Sequence, residues 1–207
     1  MPSARYRTLS RRVTELRRNL LPREFSALGL YSERVYERTR AFRVLTHAEF
    51  EAFIEDRAIE VIQNAHSAWS EGGEIRPSLL SLMAHREGTT GIPDSISNLT
   101  DRTQKFPTLS ARIAAEKQAY STYIKKKNHG IKERNLLRIL LPLGVTREEF
   151  DTAWLNATES WATARGEIAH TSASGKIQVQ INPRSELGTV QQILTGFKHV
   201  DKVLNSK

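Results

Sequence analysis

An arginine and a histidine separated by four residues, Arg165-Gly-Glu-Ile-Ala-His170, are the side chains of this sequence best suited to chemistry. Histidine titrates near working pH and can take or give a proton. Arginine stays charged and presents a planar fork that matches phosphate oxygens. Together, beside a basic surface, they suit metal-independent cleavage of RNA. A base removes the 2′-hydroxyl proton, the freed oxygen attacks the adjacent phosphate, and the cation stabilises the phosphorane-like transition state. The product carries a 2′,3′-cyclic phosphate, and DNA, lacking the 2′-hydroxyl, is spared. The spacing alone is a weak motif. With 21 arginines and 6 histidines in 207 residues, chance supplies roughly 0.6 such pairs.

The elements around the pair must position it. Thr146-Arg-Glu-Glu149 reads as a capping box that opens a helix just after the break at Pro142-Leu-Gly144. Phe150, Trp154, Ala157, Trp161, Ala164 and Ile168 then form one apolar stripe, flanked by Arg165. On an ideal helix, residues 165 and 170 lie roughly 140° apart. Either the helix ends or distorts near Gly166 and the Thr171-Ser-Ala-Ser-Gly175 stretch, or the working pair comes from two chains. A second long helix is expected from Ser32 to Trp69, where neither proline nor glycine occurs. Its core positions are Val35, Phe42, Leu45, Ile54, Ala58 and Ile62. Arg43, His47 and Glu51 follow at i, i+4 and i+8 as one polar line. That line is a candidate lining for the cleft near Arg165 and His170; the alternative is a surface salt-bridge ladder.

These stretches resemble the HEPN superfamily, the higher eukaryotes and prokaryotes nucleotide-binding domain. Its hallmark is R-x4-6-H near the end of a long helix in an all-α domain, here Arg165 to His170. The stretch Arg40-Ala-Phe-Arg-Val-Leu-Thr-His-Ala-Glu-Phe-Glu-Ala-Phe-Ile-Glu55 looks like the early helix of the RiboL-PSP-type HEPN branch. The resemblance implies an all-α, HEPN-like helical bundle, a single domain over residues 1–207, with a long loop-rich insertion and a C-terminal helix. It also implies ribonuclease activity, with two R-x4-6-H motifs meeting across a homodimer interface to form one composite site. Arg165 and His170 would be the catalytic residues, with Glu167 a candidate to orient His170. One departure stands out: many members place Asn, Asp or His directly after the arginine, and this chain has Gly166. HEPN ribonucleases often serve in RNA-targeting toxin or antiviral defence systems, so an antitoxin or defence-system partner is the matching expectation. The alternatives are a HEPN scaffold that binds RNA or nucleotide without cleaving it, and a protein-interaction module.

Charge points the same way. The formal net charge is +8 and the pI about 9.9, which favours a polyanionic partner, here single-stranded RNA or tRNA. A first helix over residues 5–20 carries Leu9, Val13, Leu16 and Leu20 as its stripe and a crowd of arginines, opposed up to position 23 by Glu15 alone. Arg11, Arg12 and Arg18 are its candidate RNA contacts; the alternative is a solvated face. A second cluster, Lys125, Lys126 and Lys127, ends a helix over residues 108–127 whose face is Leu109, Ile113, Tyr120 and Ile124, with Gly130 as the expected C-cap.

Residues 77–106 read as an irregular insertion with a short helix around Ser78 to His85. Residues 171–182 read as a linker, extended over Lys176-Ile-Gln-Val-Gln-Ile181. It leads to a final helix with Asn182 as N-cap and Pro183 at the first helical position. Absent are cysteines, a metal-ligand cluster, a phosphate-binding loop and a dinucleotide fingerprint, so neither cofactor nor metal is expected. No run of 18 apolar residues and no signal-peptide core is visible, giving a cytoplasmic protein with no membrane partner as the expectation.

Overall fold

The computed structural model describes residues 1–85, 108–171 and 180–207, and the side chains of all of these except 166–171. The fold is all-α, with seven α-helices and no strand among the described residues. Helix α1 (Ala4–Leu20) starts at Ser3, whose side chain accepts from the Tyr6 amide, and buries Tyr6, Leu9, Val13 and Leu16. Helix α2 (Glu33–Gly72) runs for 40 residues, a rod about 60 Å long. It stops because Gly73 turns left-handed at φ 69°. The amides of Gly73 and Glu74 then donate to the Trp69 and Ala68 carbonyls at 2.9 and 3.2 Å, closing the orphan acceptors of the last turn.

Helix α3 (Pro77–Ala84) has proline in its first turn and buries Leu79 and Leu82. The first part of the expected insertion is therefore core, and residues 86–107 lie outside the described ones. Helix α4 (Leu109–Lys127) is capped by Thr108 and buries Ile113, Tyr120 and Ile124. Leu109 does not join them: at the first turn it is 62% exposed. Helix α5 (Glu133–Leu140) buries Leu136, Ile139 and Leu140.

The capping box at Thr146 and Glu149 forms, but it caps a 3-10 turn, Arg147–Glu149, rather than a long helix. Phe150 is extended at ψ 134° and breaks the run. Asp151 then caps α6 (Thr152–Thr171), its Oδ1 accepting from the amides of Ala153 at 2.9 Å and Trp154 at 3.1 Å. Asn182 caps α7 (Pro183–Leu204), accepting from the Arg184 and Ser185 amides. The segment expected to be extended lies mostly outside the described residues.

Every other helix packs on α2. Helix α1 lies antiparallel along one face, with Arg5 on Asp56 at 2.8 Å and Arg12 on Glu49 at 3.1 Å. Helix α7 covers another, and its Phe197 centres the core. The Phe50, Phe53 and Trp154 rings sit 5.0, 5.7 and 5.1 Å from it. Helices α6 and α7 meet at Gly196, where a Cβ would stand 2.0 Å from Trp154 Cδ1. A buried pair, Arg57 and Asp201 at 3.1 Å, ties α2 to α7, and the Ser3 amide donates to the same carboxylate at 2.7 Å. Among the expected core positions of α2, Val35 is only half-buried and Leu45 departs furthest. It is 46% exposed, because it falls on the strip of α2 that also exposes Ala48 and Ala52.

Candidate functional site

The polar line on α2 faces inward. Arg43 donates from Nε to Glu186 Oε1 at 2.9 Å and from its second arm to Oε2. Trp161 Nε1 donates to the same Oε1 at 2.7 Å. Glu186 stands in the first turn of α7 and is 2% exposed. Three charge-assisted bonds satisfy it and fix the plane of the Trp161 indole. His47, one turn beyond Arg43, stacks on that indole at 5.8 Å and 24°.

His47 is 3% exposed. Burial, and then the charge of Arg165, hold its pKa at about 4, so the ring is neutral at physiological pH. Its Nδ1 is buried without a hydrogen-bond partner among the described residues. Glu51 Oε2 lies 3.7 Å away, beyond hydrogen-bond reach. With a neutral ring, this contact is not an ion pair. The other Glu51 oxygen accepts from the Gly130 amide. Gly130 was expected to cap α4. Instead the helix ends at Lys127, with Asn128 as the cap, and Gly130 uses its φ of 96° to turn its N–H toward Glu51. One turn further along α2, burial and then the Glu51 charge push the Glu55 carboxyl up to about 7, partly offset by His129.

Arg165 meets this line from α6. It continues the buried series Trp154, Thr158, Trp161 and Ala162 at steps of four, three, one and three, so it extends the inward stripe rather than flanking it. Its Nε is buried and has no hydrogen-bond partner among the described residues. An orphaned buried donor costs about 1–3 kcal/mol, which makes a guanidinium held this way a candidate to receive an anionic oxygen. Helix α6 continues through Thr171. It does not end at Gly166, and positions 165 and 170 stay roughly 140° apart around one axis. The side chains of Glu167 and His170 lie outside the described ones.

A family model described as RiboL-PSP-HEPN matches residues 8–202, a span that takes in all of α2 and α6. The chain belongs to the RiboL-PSP-HEPN family. HEPN domains are often ribonucleases, and nucleotide binding is the other role associated with them. No curated protein and no solved structure matches the chain.

Within this HEPN domain the two basic clusters stand differently to the site. Arg12 bonds Glu15 at 2.7 Å and Glu49 at 3.1 Å, Arg11 lies 4.0 Å from Glu15, and Arg18 is exposed. Glu49, under α1, sits roughly 160–200° around α2 from His47 and Glu51. The structure therefore does not bring Arg11, Arg12 and Arg18 to the Arg43–His47–Glu51 face. Lys125, Lys126 and Lys127 are exposed in the last turn of α4, directly before the turn that reaches Glu51. Three members of the site were not singled out from sequence. Trp161 looked like core, Glu55 was only the end of the matched stretch, and Glu186 is one acid in the first turn of a capped helix. No sequence signal separates Glu186 from an ordinary helix-start glutamate. Among the described residues no His, Cys, Asp or Glu cluster could hold a metal ion, and no helix is long and apolar enough to cross a membrane.

Proposed function

We propose that this HEPN domain is a metal-independent endoribonuclease whose composite site is formed by two copies of the chain. The observation that carries the proposal is Arg165: its Nε is buried and unpartnered among the described residues, beside a histidine held neutral. Arg165 binds the scissile phosphate and offsets the charge that builds on its oxygens. His170 removes the 2′-hydroxyl proton, with Glu167 orienting the ring. The 2′-oxygen bonds to phosphorus, the P–O5′ bond breaks, and the 5′-oxygen takes a proton from the second copy's equivalent histidine. The separation of roughly 140° along one continuous helix supports pairing Arg165 of one copy with His170 of the other. The substrate is single-stranded RNA or tRNA, in a toxin or antiviral-defence setting with an antitoxin or defence-system partner.

The test is incubation of labelled single-stranded RNA and tRNA in EDTA, beside His170→Ala and matched DNA. Cleavage by the wild type alone, on RNA alone, leaving cyclic phosphate ends, is the expected result. Equal cleavage by His170→Ala would remove that residue from the mechanism. A second reading, an RNA- or nucleotide-binding scaffold without cleavage, is favoured by Gly166 in the position directly after the motif arginine. It predicts salt-sensitive RNA binding that is unchanged in Arg165→Ala and His170→Ala.

A further inference from the structure

A groove of about 310 Å³ runs between α2 and α4. Its cations are Lys117, Lys125 and Lys126, and Gln63, Ser121 and Thr122 add neutral donors. Among the described residues no carboxylate and no aromatic ring lines it. The charge is felt nearby: the pKa of His66 is lowered by burial and then by Lys117. The groove between α1 and α2 contrasts with it. That cavity is about 240 Å³ and holds Arg5 together with Glu49 and Asp56, and Arg5 is already bonded to Asp56 and Glu60. On the arginine-rich helix, Arg5 and Arg12 have spent their charge on α2 carboxylates. Among the described residues no ion pair holds Lys117, Lys125 or Lys126.

We propose that the α2–α4 groove is the track for the sugar-phosphate backbone of a single nucleic-acid strand and delivers it to the Arg165 site. This rests on the ribonuclease proposal for its destination, though not for the binding itself. Lys117, Ser121 and Lys125 form one row at i, i+4 and i+8, spanning about 12 Å along the helix. Lysine binds phosphate as a point charge, and contacts of this kind position a strand without reading its bases. With no ring to stack on, bases gain no sequence-dependent hold. The lysine row runs toward the site: α4 ends at Lys127, and the turn that follows places the Gly130 amide on Glu51, next to His47. The groove accepts RNA and DNA strands alike, and discrimination falls to the 2′-hydroxyl at the cleavage point.

The experiment measures binding of labelled oligouridylate and oligodeoxythymidylate of equal length to the full chain across a salt series. The variants are Lys117→Gln/Lys125→Gln/Lys126→Gln and Arg11→Gln/Arg12→Gln/Arg18→Gln, each checked by thermal unfolding. For single strands the log–log salt slope carries about 0.7 for each phosphate neutralised, so losing three lysine contacts lowers the slope by roughly 2. It weakens both oligonucleotides at least tenfold at low salt, while the α1 variant stays within about twofold of wild type. Unchanged binding in the lysine variant, a larger loss in the α1 variant, or wild-type binding only to an acidic protein would each overturn the groove. Lysine-dependent binding without cleavage keeps the groove and removes the ribonuclease. Cleavage that ignores the lysines does the reverse.

Discussion

Glu186→Ala is the substitution with the widest reach. It removes the acceptor of both Arg43 arms and of Trp161 Nε1 at once. The side chains of Arg43 and Glu186 are 13% and 1% exposed, so water cannot replace the lost carboxylate. Removing one partner of a buried pair costs about 3–5 kcal/mol. The stranded indole N–H adds to that, but not independently, because it shares the same oxygen. Roughly 4 kcal/mol is the working figure, and at about 2–4 °C per kcal/mol for a chain of this size the melting temperature falls by roughly 8–16 °C. Urea unfolding followed by tryptophan fluorescence reads the change. Arg43→Met with Glu186→Leu keeps the volume and removes both charges, so it recovers a large part of the loss, as buried pairs replaced by apolar residues do. A cost below about 1 kcal/mol for Glu186→Ala, or a double variant no more stable than the single one, would refute the idea that this pair organises the α2–α6–α7 junction.

Other outcomes follow from single contacts. Gly196→Ala puts a methyl 2.0 Å from a Trp154 ring that is held by its bond to the Ile193 carbonyl. It destabilises by about 1–3 kcal/mol, measured by thermal unfolding with near-UV dichroism reporting the displaced indole. Because the folded pKa of His47 is about 4 against an ordinary 6.5, the unfolded chain binds its proton first. Stability therefore falls as pH drops from 6.5 toward 4, by up to roughly 3 kcal/mol, and His47→Gln flattens that part of the profile. Glu55 has the opposite sign, with a folded pKa of about 7 against 4.5. Its contribution is lost as pH rises through that window, and Glu55→Gln removes the slope, as pH-dependent urea melts show. Arg165→Lys keeps the charge but loses the planar fork. RNA cleavage drops about 10²–10³-fold, while equal activity would mean that charge alone is used.

What could be read from sequence, and what could not, divides along local and non-local lines. Six of the seven helices announce themselves through periodicity and caps, α5 being the exception: Asn182 and Pro183 open α7 as expected, and α2 ends at Gly72, three residues beyond Trp69. Thr146 shows where a local rule can hold and still mislead. Its box forms, but Phe150 turns extended and Asp151 takes over the cap. Leu45 and Leu109 have the right spacing, yet no helix among the described residues covers them. The site was legible only as separate pieces. That Arg43, His47 and Glu51 share a face follows from a 3.6-residue turn. That Glu186, 143 residues beyond Arg43, would fall between Arg43 and Trp161 depends on how α7 docks, and no local pattern encodes that. The same holds for α1, whose arginines dominate the composition while their partners Glu49, Asp56 and Glu60 sit on another helix.

The dependence on α7 also governs synthesis. Chains emerge from the ribosome N-terminal end first, at about 5–20 residues per second. Through most of that time α2 lacks the stacking partner of Phe50, and Phe53 has Tyr6 of α1 alone, since Phe197 arrives near the end. Arg43 and Trp161 likewise wait for Glu186. A nascent chain stalled before α7 therefore exposes an aromatic surface that invites chaperones, and it holds no assembled site. The Arg43–Glu186–Trp161 junction therefore forms only after nearly the whole chain has been made.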